Sequence, residues 1–161
     1  MKQPGKKYND EDNMLVNDLR SIVSKARSKA FAAVNYSLVE RNWRIGQRIV
    51  EQEQNGASRA EYGKHVIEVA SAALTEEFGK GFSKTSIKNC KKFFMYFSHS
   101  EKGQAVPDLL TSHLLPWTHY ERLIRVEDKQ AREWYAKEAF NEGWSYRTLN
   151  RNINTLYYER L

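Results

Sequence analysis

The chain is poor in the residues that interrupt helices or staple loops. Its 161 residues include three prolines, eight glycines and one cysteine. The lone thiol, Cys90, excludes a disulfide within the chain and a zinc site built on cysteines. The opening, MKQPGKKYNDED, lacks the apolar stretch of a secretory signal. The apolar stretch from Val69 to Leu74, broken by Ser71, falls far short of a membrane span. A cytoplasmic protein without membrane contact is the expectation. Catalytic signatures are missing as well: there is no HExxH, GxSxG, P-loop or GxGxxG. No two of His65, His99, His113 and His119 stand three or four residues apart, so neither a metal site nor a cofactor is expected.

What is present is a positive balance and helical periodicity. Net charge is +6 and the pI about 9.4, which favours polyanionic partners. Hydrophobic residues reach 40% and aromatic residues 12%, enough for a core with a few large anchors. After a basic arm at 1–9, expected to be flexible, one helical pattern runs from about residue 12 to 54. Leu15, Leu19, Ile22, Ala26, Ala30 and Ala33 recur at spacings of three or four, and the stripe continues through Leu38, Ile45 and Ile49, with Trp43 and Gly46 beside it. This is either one helix of roughly 60 Å or two helices bent near Asn35. The small residues at 26, 30 and 33 permit close helix–helix approach, within the chain or in a homodimer. Asn55-Gly56 reads as a stop.

The expected fold is therefore all-α: a long N-terminal helix followed by two hairpins resembling helix-turn-helix units, in a single helical domain over 10–161. The first hairpin spans about 59–97, with Tyr62, Val66, Val69, Ala73 and Leu74 as the apolar side of its first helix. A loop at 98–117 is expected to carry one short helix around Leu109–Leu114. Pro116 opens a helix bearing Tyr120, Leu123 and Ile124. The second hairpin spans about 128–160, its last helix capped by Ser145 and running to Leu161.

The two hairpins share one corner. Gly81-Phe82-Ser83 precedes Ile87 and Phe94 at the same offsets at which Gly143-Trp144-Ser145 precedes Leu149 and Leu156. Glycine takes a left-handed turn, the aromatic wedges between helices, and the serine satisfies N–H groups at the start of the next helix. Charge follows the same corners. Lys80, Lys84, Lys88, Lys91 and Lys92 lie in a stretch without an acid, and Lys84, Lys88 and Lys91 line one helix face while Ile87, Cys90, Phe94 and Phe97 fall on another. From Gly143 to Tyr158 there is again no acid; Arg147, Arg151, Asn154 and Tyr158 share a face opposite Leu149, Ile153 and Leu156. Like charges so spaced repel, a cost offset when an anion lies there. Lysines suit phosphates, whereas arginine and asparagine can also read base edges.

One match to nuclease chemistry fails on local structure. Pro107-Asp108 followed by Glu127-Asp128-Lys129 has the letters of a PD…ExK motif, but that site needs β-strand ends converging on a metal. No alternating strand pattern surrounds either piece, and Asp128 reads as a helix cap.

Blocks along nearly the whole chain carry a family resemblance: Ala26-Arg27, Val34-Asn35, Trp43 with Ile45-Gly46, Ala60-Glu61-Tyr62-Gly63, and Leu74 through Ser83 (LTEEFGKGFS). Further on come Trp117-Thr118-His119-Tyr120, Arg132 with Trp134-Tyr135, Trp144-Ser145 with Arg147 and Leu149, and Tyr158-Glu159-Arg160-Leu161. In these the chain resembles the N-terminal domain of the bacterial YhcG-like family, whose larger members carry a PD-(D/E)XK nuclease domain after this region. The resemblance implies a helical, DNA-associated module that positions a nuclease domain, with no catalysis by this stretch itself. The functional expectation is double-stranded DNA binding, with the hairpin at 59–97 recognising the duplex through Lys80, Lys84, Lys88, Lys91 and Lys92 and the hairpin at 128–160 as a second contact through Arg147 and Arg151. The alternative is a dimerisation or protein-docking module with no DNA contact.

Overall fold

The computed structural model of the chain describes residues 8–56, 59–98 and 114–161. Among these the architecture is all-α, with no strand. Six helices follow in order: α1 Asp10–Gln54, α2 Arg59–Phe78, α3 Lys84–Phe97, α4 Trp117–Leu123, α5 Lys129–Asn141 and α6 Tyr146–Asn154. A short 3-10 turn, Tyr158–Arg160, closes the chain. The helix expected around Leu109–Leu114 lies, up to residue 113, outside the described residues. So do residues 1–7 of the expected arm and the Pro107-Asp108 pair.

Helix α1 is one uninterrupted helix of 45 residues. Asn9 starts it by accepting the Asp12 amide at 2.7 Å, and Asp10, Glu11 and Asp12 place negative charge on the first turn, where the helix dipole favours it. Two compact units divide at its middle: one ends at Asn35, the other is Tyr36–Leu161. In the first unit the large apolar residues Met14, Leu15, Leu19, Ile22, Phe31 and Val34 are exposed.

The second unit holds the core. Burial on α1 begins at Val39 and continues through Asn42, Trp43, Gly46 and Ile49, a helical stripe. Helix α3 lies at the centre. Its Phe93 ring packs against Phe97, Trp117 and Tyr120 at 5.3, 5.0 and 4.8 Å between centroids. Trp43 meets Phe94 edge-on at 5.0 Å. This cluster extends through Leu123, Ile124, Ala131, Tyr135, Leu149 and Ile153. A second cluster joins Ile49, Val66, Ile67 and Ile87 between α1, α2 and α3. Gly46 permits the closest approach: a Cβ there would sit 2.1 Å from the Cys90 carbonyl oxygen. Cys90 itself is buried, and burial pushes its thiol up to about 12, so it stays protonated and unreactive at neutral pH.

Two apolar assignments shift. On α2 the inward face is Val66 and Ile67, with Ala70 and Leu74 packed beside them, while Val69 is exposed. The face is turned from the expected Val66–Val69–Ala73 line because both Val66 and Ile67 must meet Ile49 and Ile87. On α3, Phe93 is fully buried and Phe94 half-buried.

The last helix is shorter than expected. Helix α6 ends at Asn154, not near Leu161, because Leu156 adopts φ +54°. Tyr157 N–H then donates to Asn152 O at 3.0 Å and Leu156 N–H to Ile153 O at 3.1 Å, a Schellman closure with leucine in the place glycine usually holds. Leu156 therefore points to solvent instead of the core, 55% exposed. The segment beyond it is tied back by Tyr135, whose hydroxyl donates to Glu159 Oε2 at 2.8 Å and accepts Tyr158 N–H at 3.0 Å.

Candidate nucleic-acid interface

Both glycine–aromatic–serine corners form as their residue chemistry demands. Gly79 and Gly81 take φ +81° and +110°, and Gly143 takes +62°, conformations that cost a side chain but not glycine. Ser83 Oγ accepts Ser86 N–H at 3.1 Å and Ser145 Oγ accepts Thr148 N–H at 3.2 Å. Ile87 and Leu149, four residues past each cap, are fully buried. Each corner is also braced from outside. Ser71 donates to Phe82 O at 2.7 Å, and the Arg41 guanidinium lies over the Phe82 ring. At the second corner, buried His119 reaches Trp144 O through Nε2 at 2.7 Å. An oxygen partner makes Nε2 the protonated nitrogen, so His119 is a structural tether. Asp128 caps α5, accepting Gln130 and Ala131 N–H at 2.8 and 3.3 Å.

The lysines of the first hairpin do not form one free cationic face. Lys91 is clamped by Glu53 of α1, with Nζ 3.0 and 2.8 Å from its two carboxylate oxygens, and the two side chains are only 32% and 16% exposed. Lys84 stands 3.8 Å from Glu68 of α2, with their side chains 61% and 44% exposed. Lys92 lies over the Tyr96 ring at 5.7 Å. Lys80 and Lys88 are exposed. Lys84, Lys88, Lys91 and Lys92 share a groove of about 840 Å³ with Lys64, Tyr96 and the two glutamates. Pairing within a helix-spacing rule could not have shown these carboxylates, because both arrive from other helices.

The second corner is different. Arg147, Thr148, Asn150, Arg151, Asn154 and Thr155 line a depression of about 460 Å³ along α6 that contains no acid. Arg147 and Arg151 are exposed. Arg122 of α4 lies at its edge: Nε donates to Asn150 Oδ1 at 2.7 Å and Nη2 to Asn154 Oδ1 at 2.9 Å. Burial pulls the Arg122 guanidinium below its ordinary value, opposed by Tyr146 and assisted by Arg125; it remains a cation. With both amide oxygens engaged by Arg122, the two asparagines offer chiefly N–H donors. The whole depression is thus donor-rich, a surface suited to anions. Sequence spacing had placed Tyr158 on this face; instead it packs against Trp134 and Tyr135, because the chain leaves the helix at Leu156. Arg122 and Asn150 were not anticipated, since Arg122 belongs to another helix.

Among the described residues no group of three or more histidine, cysteine or acidic side chains is placed to hold a metal. No helix among them is long and apolar enough to cross a membrane.

Comparison with known proteins gives a consistent placement. Residues 18–160 match the family described as the DUF1016 N-terminal domain. The chain is 33% identical, over 163 aligned residues, to the Putative nuclease YhcG of Escherichia coli (strain K12). The alignment covers 86% of this chain and 44% of that protein, so the chain spans under half the length of the curated relative it matches. No solved structure matches the chain.

Proposed function

We propose, for a chain that belongs to the DUF1016 N-terminal domain family, that it is the duplex-DNA-binding module that brings a YhcG-like nuclease to its substrate, without catalytic work of its own. The nuclease part of this reading comes from the name of the relative. The DNA part is carried by one observation: the face of α6 that presents Arg147 and Arg151 beside asparagines whose amide oxygens already bind Arg122, with no carboxylate in the depression.

The arrangement bears on how contact is made. Reading adenine takes both the oxygen and the nitrogen of an asparagine amide, and at Asn150 and Asn154 the oxygen is already committed to Arg122. These asparagines therefore donate to phosphate or sugar oxygens, and base discrimination falls to Arg147 and Arg151. The ion pairs of Lys84 and Lys91 make the first hairpin the secondary contact, through Lys80, Lys88 and Lys92.

Fluorescence anisotropy with a labelled duplex tests the reading. With about five phosphates neutralised, log K falls against log salt with a slope of roughly −4 to −5. Arg147→Glu combined with Arg151→Glu should cut affinity at least tenfold with unchanged helical circular dichroism, because both side chains are exposed. Unaltered affinity in that double variant would remove DNA from the assignment.

A further inference from the structure

The N-terminal half of α1 carries an exposed apolar stripe that the DNA reading leaves unused. Leu15, Leu19 and Ile22 are 57%, 51% and 62% exposed, on one face at coiled-coil spacing. Soluble proteins seldom leave such a contiguous patch uncovered. The charges beside it are sorted along the helix. Asp10, Glu11, Asp12 and Asp18 occupy the first part, and Arg20, Lys25, Arg27 and Lys29 the second.

We propose that this segment pairs antiparallel with the same segment of a second copy of the chain. The charge order selects both occupant and direction. A parallel pair sets acids against acids and bases against bases; an antiparallel pair sets each acidic end on the partner's basic end. A twofold axis between Arg20 and Ser21 places Leu19 opposite Ile22, Leu15 opposite Ala26, and Asp12 opposite Lys29, and brings Asp18 beside Lys25. Neither Asp18 nor Lys25 has an opposite charge three or four residues away in its own helix, so each gains in the pair what its own helix does not supply. The contact is self-complementary, as a closed twofold dimer requires.

Light scattering on a sizing column is expected to return twice the chain mass of 18.9 kDa. Ile22→Lys should return the monomer with unchanged helicity, since the residue is exposed. Direction is read from cross-linking. Under mild oxidation the Leu15→Cys/Ala26→Cys double variant should give a covalent dimer. Those positions lie about 16 Å apart along one helix, so the bond must join two copies. Leu15→Cys alone should not cross-link. A monomeric parent chain, a dimer that survives Ile22→Lys, or efficient cross-linking of the single variant would each overturn the proposal. None of these outcomes touches Arg147 or Arg151, so the DNA assignment stands or falls separately.

Discussion

Leu156 is the one residue other than glycine, among those described, with a positive φ. An L-residue in that conformation costs about 1–2 kcal/mol, and here the leucine side chain is more than half exposed, so burial returns little. The hydrogen bonds of the turn are backbone bonds and would be kept by glycine. Leu156→Gly is therefore expected to raise stability by up to about 1 kcal/mol, after the larger unfolded-state freedom of glycine is subtracted. A urea denaturation series with unchanged slope would show it as a higher midpoint. A lower midpoint would mean that the Leu156 side chain contributes packing its exposure does not reveal. The same residue marks a limit of pattern reading. Leu149, Ile153 and Leu156 form a regular apolar series, and nothing in the letters says that the third member lies outside the helix. The corresponding turn after α5 uses Gly143, which is legible because glycine at that site announces itself.

At the scale of elements, most of the scaffold could be read from spacing. The ends of α1, the extents of α2 and α3, both serine caps and the Asp128 cap follow from local chemistry, because each depends on residues within four positions of one another; that α1 runs unbroken past Asn35 did not follow from spacing. What could not be read was which face turns inward where two clusters compete, as with Val69 and Ile67 on α2. That choice is made by partners distant in sequence. Gly46 is the sharpest case. It stands near the apolar stripe without apparent purpose, yet its missing Cβ lets α1 lie against the backbone of α3 at Cys90 and Phe94. Alanine would favour the isolated helix by about 1 kcal/mol. In the folded protein its Cβ would fall 2.1 Å from a backbone oxygen and 2.7 Å from the Phe94 Cβ, atoms that cannot rotate away. Gly46→Ala is expected to destabilise by a net 1–3 kcal/mol, roughly the cost of overpacking, measured by chemical denaturation. Stabilisation would show that the two helices separate freely.

For the molecule as a whole, the question is how much of the net charge of +6 is available to a polyanion. The stretch from Lys80 to Lys92 looked like an unopposed cationic run, and the structure returns two of its five lysines to carboxylates, Lys84 to Glu68 and Lys91 to Glu53. The run was legible; its neutralisation was not, because Glu53 and Glu68 sit on helices whose packing brings them there. This permits a direct test of whether the first hairpin takes part in the proposed DNA contact. Glu68→Gln removes a half-exposed partner at little structural cost, since surface pairs contribute at most about 1 kcal/mol. If DNA passes over the groove, freeing Lys84 should raise affinity at low salt and steepen the salt slope by about 0.9. Glu53→Gln should do the same through Lys91, with some loss of stability because that pair is partly buried. Should both variants keep the parent slope, the proposed DNA contact would be confined to α6, and the lysines of α3 would serve the packing of α1 and α2 instead.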